Sequence, residues 1–234
     1  RQFTVDCVYP ENTKQLTTTG IAIESPGVTE EQVIQNVKNI PEEWTHSLDY
    51  AWVDAGWFPI RNNWGDSVGN WYPDPDRFPN GFGEISRQLQ ERGMELLVWY
   101  EIERCCKDTA VYNDCIKHDG WLLVNEEDDE GNVVNFANEE ALEYITNLMV
   151  ESLRYNGIKG FRMDSNFTPL PRWEQADKQW EDGRKGITEN HYVTNLYKFF
   201  DTLLEEIPGL RIDNCASGGK RLDIEMARRS RHIT

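Results

Sequence analysis

What most constrains this chain is the way apolar runs and helical patterns take turns along it. Five short runs are apolar almost throughout rather than at alternate positions: "TGIAIES" (19–25), "LDYAWVDAGW" (48–57), "MELLVWYEIE" (94–103), "IKGFRMDSN" (158–166) and "GLRIDNCASGG" (209–219). Continuous apolar strands are the pattern of parallel sheets covered on both faces. Between them lie helical stretches with readable ends. "TEEQVIQNVKNI" opens on Thr29 and two acids, an N-cap followed by a first turn that suits the helix dipole. "NGFGEISRQLQERG" runs to Gly93, "NEEALEYITNLMVESLRYNG" from Asn138 to Gly157, and "ITENHYVTNLYKFFDTLLEEIPG" from Thr188 to just before Pro208. Strand–helix repetition of this kind predicts parallel βα units. No fixed-period repeat or linker interrupts it, so residues 1–234 read as one α/β domain of barrel type.

Two connections are longer than a plain link needs: "FPIRNNWGDSVGNWYPDPDRFPN" after the second run and "FTPLPRWEQADKQWEDGRKG" after the fourth. Both follow the carboxyl ends of strands, the face on which βα barrels carry their chemistry. Acids stand at those same ends: Asp54, Glu101, Glu103, Asp164 and Asp213, with Asp223 ten residues beyond the last. A strand-end aspartate is often only a turn former or helix cap. Several on one face, flanked by long loops holding Trp57, Trp64, Trp71, Trp173 and Trp180, point instead to carbohydrate chemistry. Indole faces suit sugar rings, and glycoside cleavage needs two carboxylates. Arg162, two residues before Asp164, is expected to keep that carboxylate ionised by direct charge interaction, as a nucleophile requires.

Composition removes other classes. The net charge of −17 argues against nucleic acid or an anionic membrane as partner. No apolar stretch approaches a membrane-spanning length. The acidic run "NEEDDEGN" (125–132) lacks the alternating ligands of a calcium loop and reads as solvated. Five cysteines and four histidines fall at no metal-ligand spacing, so no metal or cofactor is expected, and the thiols read as reduced in a cytosolic protein.

Taken in order, "WVDAGWF…GNWYPDPDRFPNG…LLVWYEIE…GFRMDSN…IDNCASGGKRLD" resembles the catalytic barrel of glycoside hydrolase family 36, typified by bacterial α-galactosidases. The resemblance implies a (β/α)8 barrel, incomplete at the C-terminus with five to six βα units. It implies a retaining α-galactosidase acting on terminal α-galactosides of oligosaccharides by double displacement, with a non-catalytic or truncated sugar-binding relative of the same fold as the alternative. Asp164 then holds the nucleophile's place and Asn166 lies near the sugar 2-hydroxyl. Arg162 stands where the family has lysine. Asp54, Ala55, Gly56 and Trp57 match the Asp-Asp-Gly-Trp segment that holds the 4- and 6-hydroxyls, with Ala55 in place of the second aspartate. Trp99 matches the tryptophan of the third strand, and Cys215 and Gly218 belong to the glycine-rich turn. The acid/base aspartate, counted from Cys215, falls just beyond Thr234. The expectation is therefore a chain that stops before strand six, with Asp223 the nearest candidate acid inside it. An open barrel would leave sheet edges bare, which predicts a homo-oligomer.

Overall fold

The computed structural model describes residues 20–23, 27–124, 131–180 and 184–233. The chain runs β1 (Gly20–Ile23), α1 (Glu30–Asn39), α2 (Glu42–Thr45), β2 (Tyr50–Val53), α3 (Gly83–Glu91), β3 (Glu95–Tyr100), β4 (Arg104–Cys105), α4 (Ala110–Cys115), β5 (Leu122–Leu123), β6 (Asn132–Val134) and α5 (Glu139–Asn156). It continues through β7 (Gly160–Met163), α6 (Leu170–Asp177), α7 (Ile187–Glu206), β8 (Arg211–Asn214), α8 (Ala216–Gly219), α9 (Ile224–Arg229) and β9 (His232–Ile233). Six strands form one parallel sheet in the order β1-β2-β3-β7-β8-β9. The expectation that the chain stops before a sixth strand is overturned: His232–Ile233 pairs in parallel with β8.

Local chemistry accounts for the helix ends. Thr29 and Gln32 exchange hydrogen bonds across the first turn of α1 as a capping box. The Asn138 side chain accepts from the amides of Glu140 and Ala141 at the start of α5, and Gly157 closes that helix in the left-handed conformation. α7 begins one residue earlier than Thr188 because Asp177, at the end of α6, accepts from the amides of Gly186 and Thr188.

Register divides the sheet into two faces. Val53, Val98, Phe161 and Ile212 lie side by side across β2, β3, β7 and β8, and all are buried. This face takes the helices; Phe161, for example, meets Phe199 of α7. On the other face Trp99, Arg162 and Asp213 are neighbours in register. Gly160 is required where β7 meets β3, since a Cβ there would lie 2.6 Å from Leu97 Cβ and 2.8 Å from its Cα.

Two features differ from the expected elements. Between β3 and α5 the chain makes a small antiparallel sheet, β4-β6-β5. The long connection after β7 is not all loop: α6 forms within it, led in by Pro169 and Pro171 at positions a helix start tolerates. Residues 125–130 of the acidic run lie outside the described residues, as does Cys7.

Candidate active site

Asp164 is the first residue past β7, and its amide still bonds to Tyr100 O at 2.8 Å, so the sheet itself fixes its backbone. Each carboxylate oxygen accepts two hydrogen bonds. Oδ1 takes the amides of Ser165 (2.8 Å) and Ser217 (2.9 Å). Oδ2 takes Asn166 Nδ2 (2.9 Å) and Trp99 Nε1 (3.2 Å). Partial burial alone would raise the Asp164 pKa; the donors from Ser217, Asn166, Ser165 and Trp99 outweigh it and hold the carboxyl below its ordinary value. Asn166 is oriented in turn, because its Oδ1 accepts from Ser217 Oγ at 2.6 Å and its amide donates to the buried carboxylate of Glu101.

Ser217 reaches Asp164 because the chain turns sharply after Cys215. Ala216, Ser217, Gly218 and Gly219 all have positive φ, at 49°, 51°, 77° and 91°. For the two non-glycine residues this is a costly conformation. A Cβ at Gly218 would meet nothing within 4 Å, so glycine serves the backbone there, not space.

The expected role of Arg162 changes. Its guanidinium forms an ion pair with Asp213, its register neighbour on β8, and donates to Cys215 Sγ at 3.2 Å. It stacks 4.4 Å over the Trp52 ring. Asp164 is held ionised by amide and indole donors, not chiefly by Arg162. Cys215 is buried, and burial pushes its pKa up, so it stands beside Asp164 as a thiol.

Trp57 is also reassigned. It is 0% exposed, sits among Phe58, Trp71, Phe82 and Tyr100, and donates its indole N–H to Trp99 O at 2.9 Å. Its ring is core, beneath Trp99, and cannot meet a sugar. Trp71 and Trp173 are buried as well. Asp54 is half-buried at the end of β2; its Oδ1 accepts from the Ala55 amide at 2.8 Å, and its other oxygen has no partner among the described residues.

The remaining acids separate into roles. Glu103 is fully buried and accepts from Tyr192 Oη (2.8 Å) and both terminal nitrogens of Arg221 (2.6 and 2.7 Å). Glu101, also fully buried, pairs with Arg104 at 2.7 Å. Burial drives the Glu101 pKa up against the pull of Arg104 and the Asn166 amide. Asp223 caps α9, its Oδ1 accepting from the Met226 amide at 2.9 Å. That bond explains Asp223 structurally, and no hydrogen bond or ion pair joins it to Asp164 among the described residues. Sequence reasoning missed Ser217, Trp52 and the pairing of Asp213. Trp52 lies two residues before Asp54 and so shares its face, a signal that could have found it.

The described residues contain no group of His, Cys, Asp and Glu arranged to hold a metal, and no helix long and apolar enough to cross a membrane. A melibiase family model matches residues 30–233. The chain belongs to the melibiase family. Within that family it is similar to the alpha-galactosidase of Escherichia coli, at 26% identity over 183 residues, covering 76% of this chain and 24% of that protein. Alpha-galactosidase AgaA of Geobacillus stearothermophilus is 25% identical over 198 residues, covering 82% and 26%. The chain thus spans about a quarter of the length of the curated relatives it matches. Among solved structures, the family 36 alpha-galactosidase AgaA superposes with a TM-score of 0.68 at 21% identity, over 87% of this chain and 28% of that one. That likeness identifies the six parallel strands as part of a βα barrel. A variant of AgaA in complex with raffinose gives a TM-score of 0.67 at 21% identity, with the same coverage.

Proposed function

We propose that this melibiase-family chain carries the nucleophile half of a retaining α-galactosidase. The observation that carries the reading is Asp164: a carboxylate at the mouth of a parallel sheet, kept ionised by four donors. In the first step an Asp164 oxygen forms a bond to the anomeric carbon as the glycosidic C–O bond breaks and its electron pair leaves with the aglycone. In the second, water attacks the same carbon, the Asp164–sugar bond breaks, and a base takes the water's proton. Two inversions give net retention. Asn166 meets the sugar 2-hydroxyl and the unpartnered oxygen of Asp54 another hydroxyl, while Trp99, only 2% exposed, acts through its indole N–H on Asp164. Cys215 and Gly218 belong to the turn that closes over the same position. Substrates of this reading are α-galactosyl oligosaccharides; raffinose and stachyose are bound by variants of AgaA. Four free thiols among the described residues support a cytosolic setting.

The test is intact-mass measurement after mixing the chain with a dinitrophenyl α-galactoside, whose leaving group needs no acid. A hexosyl adduct mapping to Asp164 is expected, and Asp164→Ala abolishes it. Steady release of phenol would add a working base for the second step within these residues, with Asp223 the first to replace. Neither adduct nor phenol would leave a sugar-binding relative as the better reading.

A further inference from the structure

A cavity of about 360 Å³ lies away from Asp164, between the N-terminal ends of α5 and α7 and the C-terminal end of α6. Its volume is within the range of small-molecule sites, about 300–1,000 Å³. Helices that return the chain to the start of the next parallel strand begin on the strands' carboxyl side. The cavity therefore opens at the same end of the sheet as Asp164. α6 contributes to both regions: Trp173 lines the cavity that adjoins Ser165, whereas Ala176 lines this one together with Gln179 and Trp180 just beyond the helix.

The lining has an unusual division of labour. Trp180 is 46% exposed, and the Arg184 guanidinium sits 5.8 Å from its ring centroid. The polar heads of Gln179, Arg184 and His191 make no hydrogen bond or ion pair with any other described residue. The backbone donors, by contrast, are taken. Asp177 occupies the amides at the start of α7, and the Asn138 side chain occupies those at the start of α5. Two helix N-termini point here, yet most of their first-turn amides already have partners, which leaves a poor cradle for a phosphate or carboxylate. What remains is one aromatic face and three side chains able to hydrogen-bond a neutral group. A pyranose presents that combination from its own side, with an apolar C–H face and a rim of hydroxyls.

We propose that this cavity is a second carbohydrate-binding site, with Trp180 as its stacking platform and Gln179, Arg184 and His191 as its hydrogen-bonding rim. Its ligand is a neutral oligosaccharide. The choice of an α-galactosyl oligosaccharide rests on the functional reading above; the preference for a neutral polyol against an aromatic ring does not. Such a site would hold a multi-unit substrate near the barrel mouth between encounters.

The experiment follows the indole N–H resonance of Trp180 in the full chain, assigned by its loss in Trp180→Phe, during titration with stachyose to about 50 mM, above the millimolar range of weak sites. The expected result is a saturating shift. It weakens about tenfold or more in Gln179→Ala and His191→Ala, and is unchanged in Asp164→Ala. Absence of a shift in the folded chain overturns the proposal, as does an equal shift with glycerol or with inorganic phosphate. The Asp164 adduct is scored separately. A Trp180 shift without adduct leaves this site standing and the catalytic reading fallen; an adduct without a shift does the reverse.

Discussion

Replacing Arg221 by alanine should destabilise the fold strongly. Arg221 is only 16% exposed and presents a fork to Glu103, which has no exposure at all. After the replacement, Glu103, fully buried in the intact fold, keeps one neutral donor, Tyr192 Oη. Removing one partner of a buried pair costs about 3–5 kcal/mol. Counting the two charge-assisted hydrogen bonds at about 1.5–3 kcal/mol each reaches the same scale. For a chain of this length, about 2–4 °C per kcal/mol translates the loss into a midpoint lowered by about 6–20 °C. The assay is thermal unfolding followed by circular dichroism at neutral pH, with urea midpoints alongside. Arg221→Lys should fall between, because a point charge cannot reproduce the fork. Glu103→Leu combined with Arg221→Leu should be less destabilised than Arg221→Ala alone, since no charge is then stranded. A fall under about 2 °C for Arg221→Ala would refute the reasoning, because it would be worth no more than about 1 kcal/mol.

Other outcomes follow from single features. Gly160→Ala should cost about 1–3 kcal/mol, because the new methyl meets Leu97 backbone as well as side chain and the paired strands cannot separate locally; an unchanged urea midpoint would count against the register. Asp164 has a folded pKa below its unfolded value of about 3.9, so its contribution to stability is full above about pH 4 and is lost as pH falls through the lower folded value. The stability gap between the wild type and Asp164→Asn should therefore shrink on acidification below pH 4; a gap that widens would mean the carboxyl is stabilised in its neutral form.

Much of the sheet was legible because its strands are apolar runs and its helices carry caps. Thr29, Asn138 and Gly157 do in the structure what their types suggest. β4, β5 and β6 were not legible. Segments of two or three residues hold no periodicity, and what makes them strands is pairing with partners up to 29 positions away. α6 was hidden by its two prolines. In the site, Asn166 and Trp99 both donate to Asp164, but Arg162 was assigned to its neighbour in sequence. Its true partner, Asp213, is set by the register of β7 against β8, which no local pattern encodes. Trp57 failed for a similar reason, since a loop tryptophan and a core tryptophan look alike until the loop is folded back.

The two peptide N–H groups on Asp164 Oδ1 have an evolutionary consequence. The donors on Oδ2 are side chains, Trp99 and Asn166, and substitution can alter either. Those on Oδ1 belong to the chain itself, so any residue but proline at position 165, and any residue that tolerates the positive φ at position 217, supplies the same proton in the same place. Drift in the surrounding residues can change which sugar is welcomed while half of the nucleophile's support does not depend on side-chain chemistry. The strained turn thus limits position 217 by backbone shape rather than by side-chain chemistry.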